Sequence, residues 1–211
     1  MINFQIGLGI KLPTGDYKYM DYYQNVGPGG APELRNVDQS IQLGDGGTGI
    51  TGELNAFYNV SHNLGLYGNA YYLSNPRGQN GVRSYRELVN ASLIEDYIMS
   101  VPDQYMFRAG ANYAVSGLIA SIGARLEGVP VNDLIGGSGD FRRPGYVWSV
   151  EPGLNYQWNK VNIYATVPTA LYRNRTQSVT DKIRSAKTNT FVNGDAAFAD
   201  YAINLGVSFR L

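Results

Sequence analysis

Ile2, Phe4, Ile6, Leu8 and Ile10 alternate with Asn3, Gln5, Gly7, Gly9 and Lys11 at the start of the chain. At its other end Tyr201, Ile203, Leu205, Val207, Phe209 and Leu211 alternate with Ala202, Asn204, Gly206, Ser208 and Arg210. A period of two marks a strand with one apolar and one polar face, so strands are expected over 1–12 and 201–211. The same reading predicts six more, at 48–60, 64–74, 103–115, 118–128, 145–158 and 161–173. Each is longer than the roughly five or six residues usual in globular sheets. Each suits the roughly 9 to 11 tilted residues that cross a bilayer. Tight connections at 61–63, 116–117 and 159–160 alternate with long ones near 13–47, 75–102, 129–144 and 174–198. Short turns at one rim and long loops at the other suit an outer-membrane barrel. The fold expected is therefore all-β: one domain over 1–211, an antiparallel transmembrane β-barrel of at least eight strands.

The long segments, such as "NVGPGGAPELRN" and "DLIGGSGDFRRPG", carry the Gly, Pro, Asn and Asp of irregular surface structure. One of them, Ser84 to Val101, has a Tyr85, Leu88, Val89 spacing that predicts a short amphipathic helix, although the stripe drifts after Ser92. Pro152 and Pro168 fall almost opposite each other if the 159–160 turn is tight. A proline forfeits a ladder hydrogen bond, so this hairpin is expected to hold a bulge or kink.

Aromatic positions indicate which way the apolar face points. In "GYVWSVEPGLNYQWNK", Gly145 to Lys160, that face carries Tyr146 and Trp148 at one end, Val150, Pro152 and Leu154 in the middle, and Tyr156 and Trp158 at the other. Tyr105 and Tyr113 bracket Ala109 and Ala111, while Tyr58 and Tyr72 lie near strand ends. Aromatics at both ends with aliphatics between form the girdles of a lipid-facing surface. A soluble, ligand-holding barrel instead concentrates bulk mid-strand, to fill its interior. The lipid-facing reading is favoured.

Composition then narrows the function. Lys plus Arg equals Asp plus Glu at 17 each, so no basic surface advertises nucleic acid. Cys is absent and there is one His, which removes disulfides, thiolate zinc sites and Cys or His nucleophiles. His62, between Ser61 and Asn63, reads as a turn residue. No catalytic group, cofactor or metal is expected, and the protein is not read as an enzyme. No apolar run reaches the 18 or so residues of a membrane helix, and mean hydropathy is -0.24.

The polar face holds Glu53, Arg108, Arg125, Glu127 and Glu151, each mid-strand, where hydrocarbon costs a basic residue roughly 2 to 4 kcal/mol. They are expected to face a polar lumen. Two readings stand: a selectivity ring, or a salt-bridge ladder, Arg108 to Glu127 or Arg125 to Glu151, inside a plugged core. Phe57, Tyr67, Tyr71, Tyr164 and Tyr172 interrupt that face as a slide for phenolic solutes or as ordinary interior filler. Arg142, Arg143, Arg173 and Arg175 either draw anionic solutes to the mouth or pair with loop carboxylates or lipopolysaccharide phosphates, the pairing being favoured. Asp38, Asp45, Asp133 and Asp181 offer oxygen ligands to calcium but lack its known spacings, so turn formation is the better reading.

Several blocks resemble the outer-membrane β-barrel proteins grouped under the meta-pathway of phenol degradation: "GLGIKLPTGDY" (7–17), "DQSIQLGDGGTG" (38–49), "SVPDQYMFRAGANY" (100–113), "LEGVPVNDLIGGSGDFRRPGY" (126–146), "VEPGLNY" (150–156) and "VPTALYRNRTQSVTDK" (167–182). The resemblance runs over most of the chain. It implies a Gram-negative outer-membrane transporter for small hydrophobic or aromatic compounds. It also implies a signal peptide and opening strands ahead of 7–17, so the chain is expected to be the C-terminal part of a longer barrel. The function expected is a channel for passive uptake of small, aromatic or hydrophobic molecules, in contact with outer-membrane lipid and lipopolysaccharide. The alternative is a plugged structural barrel whose loops bind surface partners or lipopolysaccharide.

Overall fold

The structure, a computed structural model, describes residues 2–84, 96–194 and 198–210. In chain order its elements are β1 (Ile2–Lys11), β2 (Met20–Tyr23), β3 (Glu33–Asn36), β4 (Gly49–Asn59), β5 (Leu64–Ser74), β6 (Gln79–Arg83), β7 (Ile98–Ser100), β8 (Gln104–Val115), β9 (Leu118–Val129), β10 (Gly145–Trp158), β11 (Val161–Thr166), β12 (Thr169–Arg175), the helix α1 (Val179–Thr188) and β13 (Asn204–Phe209). Among the described residues one sheet runs β1-β4-β5-β8-β9-β10-β11-β13, with β12 pairing β10 beyond the end of β11. Every named pairing in it is antiparallel. The sheet curls, so that Asn55 and Phe57 of β4 line the same cavity as Asn204 of β13.

Tight turns set the register. Ser116 and Gly117 both have positive φ and join Val115 to its partner Leu118, the mirror-image turn that matches strand twist. Asn159 opens the two-residue turn between Trp158 and Val161 in the left-handed region, which asparagine tolerates. At the third turn the Ser61 hydroxyl accepts from the amides of Asn63 and Leu64, while the Asn63 side chain donates to the Ala114 carbonyl. His62 is exposed there, a turn residue as expected.

The strand expected over 161–173 is two. β11 pairs with β10 from Gly153 to Trp158 and β12 from Gly145 to Val150, with Val167 and Pro168 at the break. The Val167 amide donates to the Pro152 carbonyl. In an antiparallel strand a residue's N–H and C=O point the same way, so the donor that Pro152 lacks would point at this break. The two prolines thus share one interruption. A second irregularity follows: Trp148 is opposite Tyr172 but Ser149 is opposite Ala170, which leaves Leu171 as an extra residue. The last strand is shorter than expected, although the isolated pairing of Thr169 with Tyr201 continues its line.

The two faces differ sharply. Along the convex face, register places Tyr72, Tyr105 and Tyr146 in one row. Leu54, Ala70, Phe107, Leu126, Trp148 and Tyr172 form the next. Ala, Val, Ile and Leu follow until Tyr113, Tyr156 and Trp158 near the tight turns. Leu54, Phe107, Trp148 and Tyr172 are exposed, as are Leu8 (84%) and Leu205 (76%) on the outer strands, whereas the fully buried side chains are mostly polar, with Arg142, Asn75 and Asp103 among the largest.

The long connections carry structure that alternation does not signal. β2 pairs with β3, and β6 with β7, as small hairpins above the sheet. α1 begins with a capping box: the Ser178 hydroxyl accepts from the Asp181 amide and the Asp181 carboxylate accepts from the Ser178 amide. The helix expected within 84–101 falls largely on 85–95, outside the described residues, and Ile98–Ser100 is strand.

Candidate functional site

Cross-strand register on β4, β5, β8, β9 and β10 stacks the concave side chains in rows. Glu53, Tyr71, Met106, Glu127 and Val147 share one. Asn55, Asn69, Arg108, Arg125 and Ser149 share the next, and Phe57, Tyr67, Gly110, Gly123 and Glu151 the third. All five charged residues expected on the polar face are therefore here, within three adjacent layers.

Arg108 and Arg125 lie directly opposite each other, an arrangement that like charges disfavour. Carboxylates answer it. The Arg108 guanidinium donates from both Nε (3.1 Å) and Nη2 (2.7 Å) to the two oxygens of Glu151, whose side chain is 3% exposed. Arg125 donates to Glu127 on its own strand and lies 3.9 Å from Glu151. Of the two ladders expected, Arg125 to Glu151 is present at this longer distance, while Arg108 pairs with Glu151 and not with Glu127. Glu53 has a different setting. Asn69 donates to it at 2.7 Å and Asn55 at 3.2 Å, so amides satisfy it in place of a cation.

Glycines beside this cluster make room for a tyrosine ring. Gly110 and Gly123 leave the row of Glu151 open, and the Tyr67 ring extends into that gap. A methyl added at Gly110 would come within 2.7 Å of the Tyr67 hydroxyl, and one at Gly123 nearer still. Tyr164 lies over Gly206 in the same manner.

Two cavities lie along this face. One, of about 670 Å³, is lined by Phe57, Tyr67, Asn155 and Tyr164 toward the tight turns. The other, of about 620 Å³, includes Tyr71, Val147, Phe198 and Tyr201 toward the long loops. Met106 and Arg125 line both, so the arginine–carboxylate cluster stands where they meet. Tyr67, Tyr71 and Tyr164 occupy the expected face. Tyr172 does not: it is opposite the exposed Trp148 and its ring is 6.1 Å from that of Tyr146, on the convex side.

Models of known protein families and curated proteins were compared with the chain, and none matches.

The loop arginines and loop aspartates, considered separately in the sequence, are each other's partners. Asp133 receives two bonds from Arg142, at 2.9 and 2.6 Å, with both side chains fully buried. Arg143 lies 3.7 Å from Asp38, Arg175 is 3.2 Å from Asp181, and Arg173 pairs with Asp200. Lys11 holds Asp45 at 2.5 Å. None of the four arginines stands as an unpaired attractor at the mouth, and no group of acidic or histidine side chains among the described residues has the makings of a metal site. One hub was not expected. Asp103, fully buried, accepts from the Asn75 amide at 2.6 Å, the Tyr72 hydroxyl at 2.8 Å and the Leu134 amide at 2.9 Å, tying the ends of two strands to the 129–144 connection.

Proposed function

We propose that the protein is a bacterial outer-membrane channel for passive movement of small molecules, and that its curled sheet belongs to a closed transmembrane barrel. The observation that carries this reading is the inversion of the two faces: paired charges and two confluent cavities on the concave side, an exposed apolar band on the convex side. Trp148 and Trp158 mark the two ends of that band on one strand. Ten residues at about 3.3 Å each, tilted by about 40°, span about 25 Å, the height of an outer-membrane apolar belt. Backbone groups in lipid need partners, so the free edges of β1 and β13 must be paired in the membrane. The seven antiparallel steps of the sheet leave these edges antiparallel to each other. That suits pairing between them or through an even number of intervening strands.

Passage would follow the concave face, with Arg108, Arg125 and Glu151 at the junction of the cavities and Glu53 and Glu127 one layer toward the loops. Uptake of aromatic or hydrophobic solutes rests on the resemblance to the phenol-degradation family and on Tyr67, Tyr71 and Tyr164 along the route. The test is swelling of liposomes carrying the protein. Benzoate and phenol derivatives are expected to enter faster than sugars of similar size and faster than in protein-free liposomes. Absence of entry for every solute would leave the plugged barrel.

A separate prediction tests the membrane placement. Ala124 sits mid-strand on the convex face, in the row of Ala56, Ala109 and Val150. Ala124→Arg is expected to cost about 2 to 4 kcal/mol of folding free energy in phospholipid bilayers, as for a basic residue near the bilayer midplane. Urea unfolding of the protein in vesicles measures it. A change within about 0.5 kcal/mol, the range of an ordinary surface substitution, would mean that this face does not meet hydrocarbon.

A further inference from the structure

Above the sheet, at the long-loop end, a cavity of about 240 Å³ is bounded by Arg142 and Arg143 of the 129–144 connection, Arg175 at the end of β12, Arg184 of α1, and the carboxylates of Asp96 and Asp181. It is separate from the two cavities of the concave face, although Arg143 also borders one of them. Four arginines against two aspartates give the lining a formal balance of +2 (4 − 2). Asp133 pairs with Arg142 and Asp38 with Arg143 just outside it, so the lining offers no arginine without a carboxylate. What it has is spare donors.

Among the described residues Arg184 donates from Nη1 alone, to Asp96 at 2.9 Å, and Arg143 has an ion pair at 3.7 Å and lies over the Phe141 ring at 5.4 Å without a hydrogen bond. Arg142 is 2% exposed, with Nη1 and Nη2 fully engaged, yet its Nε is buried without a partner. Asp96 and Asp181 are already occupied, Asp96 by Arg184 and Thr180 and Asp181 by Arg175 and the cap of α1. Burial raises the pKa of the neighbouring Asp140 carboxyl, with Arg142 opposing and Asp96 adding. Planar guanidinium forks suit oxyanions with several acceptor oxygens.

We propose that this cavity is an oxyanion site that takes a phosphate group, held by the part-exposed guanidinium groups of Arg143 and Arg184. Its position among the long loops admits two sources of the same chemistry, a phosphorylated lipid headgroup at the membrane surface or a free phosphate. The site does not depend on the channel reading.

The test is calorimetric titration of the protein with inorganic phosphate at constant ionic strength set by chloride, in neutral detergent, alongside Arg143→Ala/Arg184→Ala and Arg143→Lys/Arg184→Lys. Arg143 and Arg184 have side chains 29% and 28% exposed, but Arg184 pairs with the buried Asp96, so its loss carries a stability cost. The lysine variant retains the charges should the alanine variant fail to fold. Phosphate is expected to bind the native protein saturably. Affinity falls roughly tenfold or more in the alanine variant, the cost of losing charge-assisted hydrogen bonds, with the lysine variant between the two. Co-flotation with phosphatidylcholine vesicles with and without phosphatidic acid forms the second arm. Enhanced flotation that needs both arginines assigns the site to a headgroup; phosphate binding with no lipid preference assigns it to a free anion. Absence of binding in both arms, or equal binding by native protein and both variants, overturns the proposal.

Discussion

Arg142→Ala is expected to destabilise the protein by about 3–5 kcal/mol, the cost of removing one partner from a buried ion pair. Arg142 is an interior group even though it belongs to a loop. It donates to both oxygens of Asp133, to the Ser100 hydroxyl at 2.8 Å and to the carbonyls of Val131 and Gly137. Truncation leaves the Asp133 carboxylate fully buried with the Asp103 amide, at 2.9 Å, as its one remaining charge-free donor on Oδ1. It also removes the side-chain bond to Ser100, while the backbone bonds of Phe141 with Ile98 and Ser100 still hold the 129–144 connection to β7. Asp133→Asn/Arg142→Ala, which removes the stranded charge as well as the arginine, is expected to recover part of the loss, because replacing both partners of a buried pair costs less than breaking it. Urea unfolding of the three proteins gives the comparison. If Arg142→Ala shifts stability by less than about 1 kcal/mol, in the manner of exposed pairs, the guanidinium is solvated and the buried network described here is wrong.

That loop network lies at the edge of what the sequence discloses. Strands were legible because a two-residue period, once anchored by turns such as Ser116–Gly117, admits one register. The face of each charged residue followed from the same parity. Partner choice did not, because Arg108 reaches Glu151 across a whole strand, a diagonal contact that alternation does not specify. Tyr172 shows how parity fails. Tyr164, Thr166, Pro168 and Ala170 keep step along the concave face, then the extra Leu171 turns every later residue over, which carries Tyr172 out and Arg173 opposite Val147. One bulge residue undoes an alternation argument from that point on. α1 lacks an apolar stripe, and its one sequence signal was the Ser178-x-x-Asp181 capping pair. The pairing of Arg142 with Asp133 was within reach as a class, arginine with loop carboxylate. Its depth was not, since burial depends on where the 75–102 connection folds back over it.

The largest functional effect is expected from Glu151→Gln. The substitution keeps the shape and removes the charge that faces both Arg108 and Arg125. Among the five charged residues of the concave face the formal balance moves from -1 (2 − 3) to 0 (2 − 2); at the junction of the cavities, where Arg108, Arg125 and Glu151 meet, it moves from +1 to +2. Two opposed arginines without their shared counter-ion then repel across the β8–β9 pair. The stability cost is expected near the low end of a broken buried pair, about 3 kcal/mol, because the Arg108 side chain is 29% exposed and water screens part of the repulsion. For conduction the consequence is a shift toward anions. One added unit of charge about 4 Å from the path is worth about 1 kcal/mol in water, in favour of an anion and against a cation, so the anion-to-cation permeability ratio is expected to rise roughly thirtyfold. Reversal potentials under a potassium chloride gradient in planar bilayers measure this directly. Arg108→Gln is the opposing control and should move the ratio the other way, since it leaves Glu151 with the more distant Arg125 alone. A channel that conducts while neither substitution alters its selectivity would place the path away from this cluster, and the three side chains would then serve the wall and not the pore.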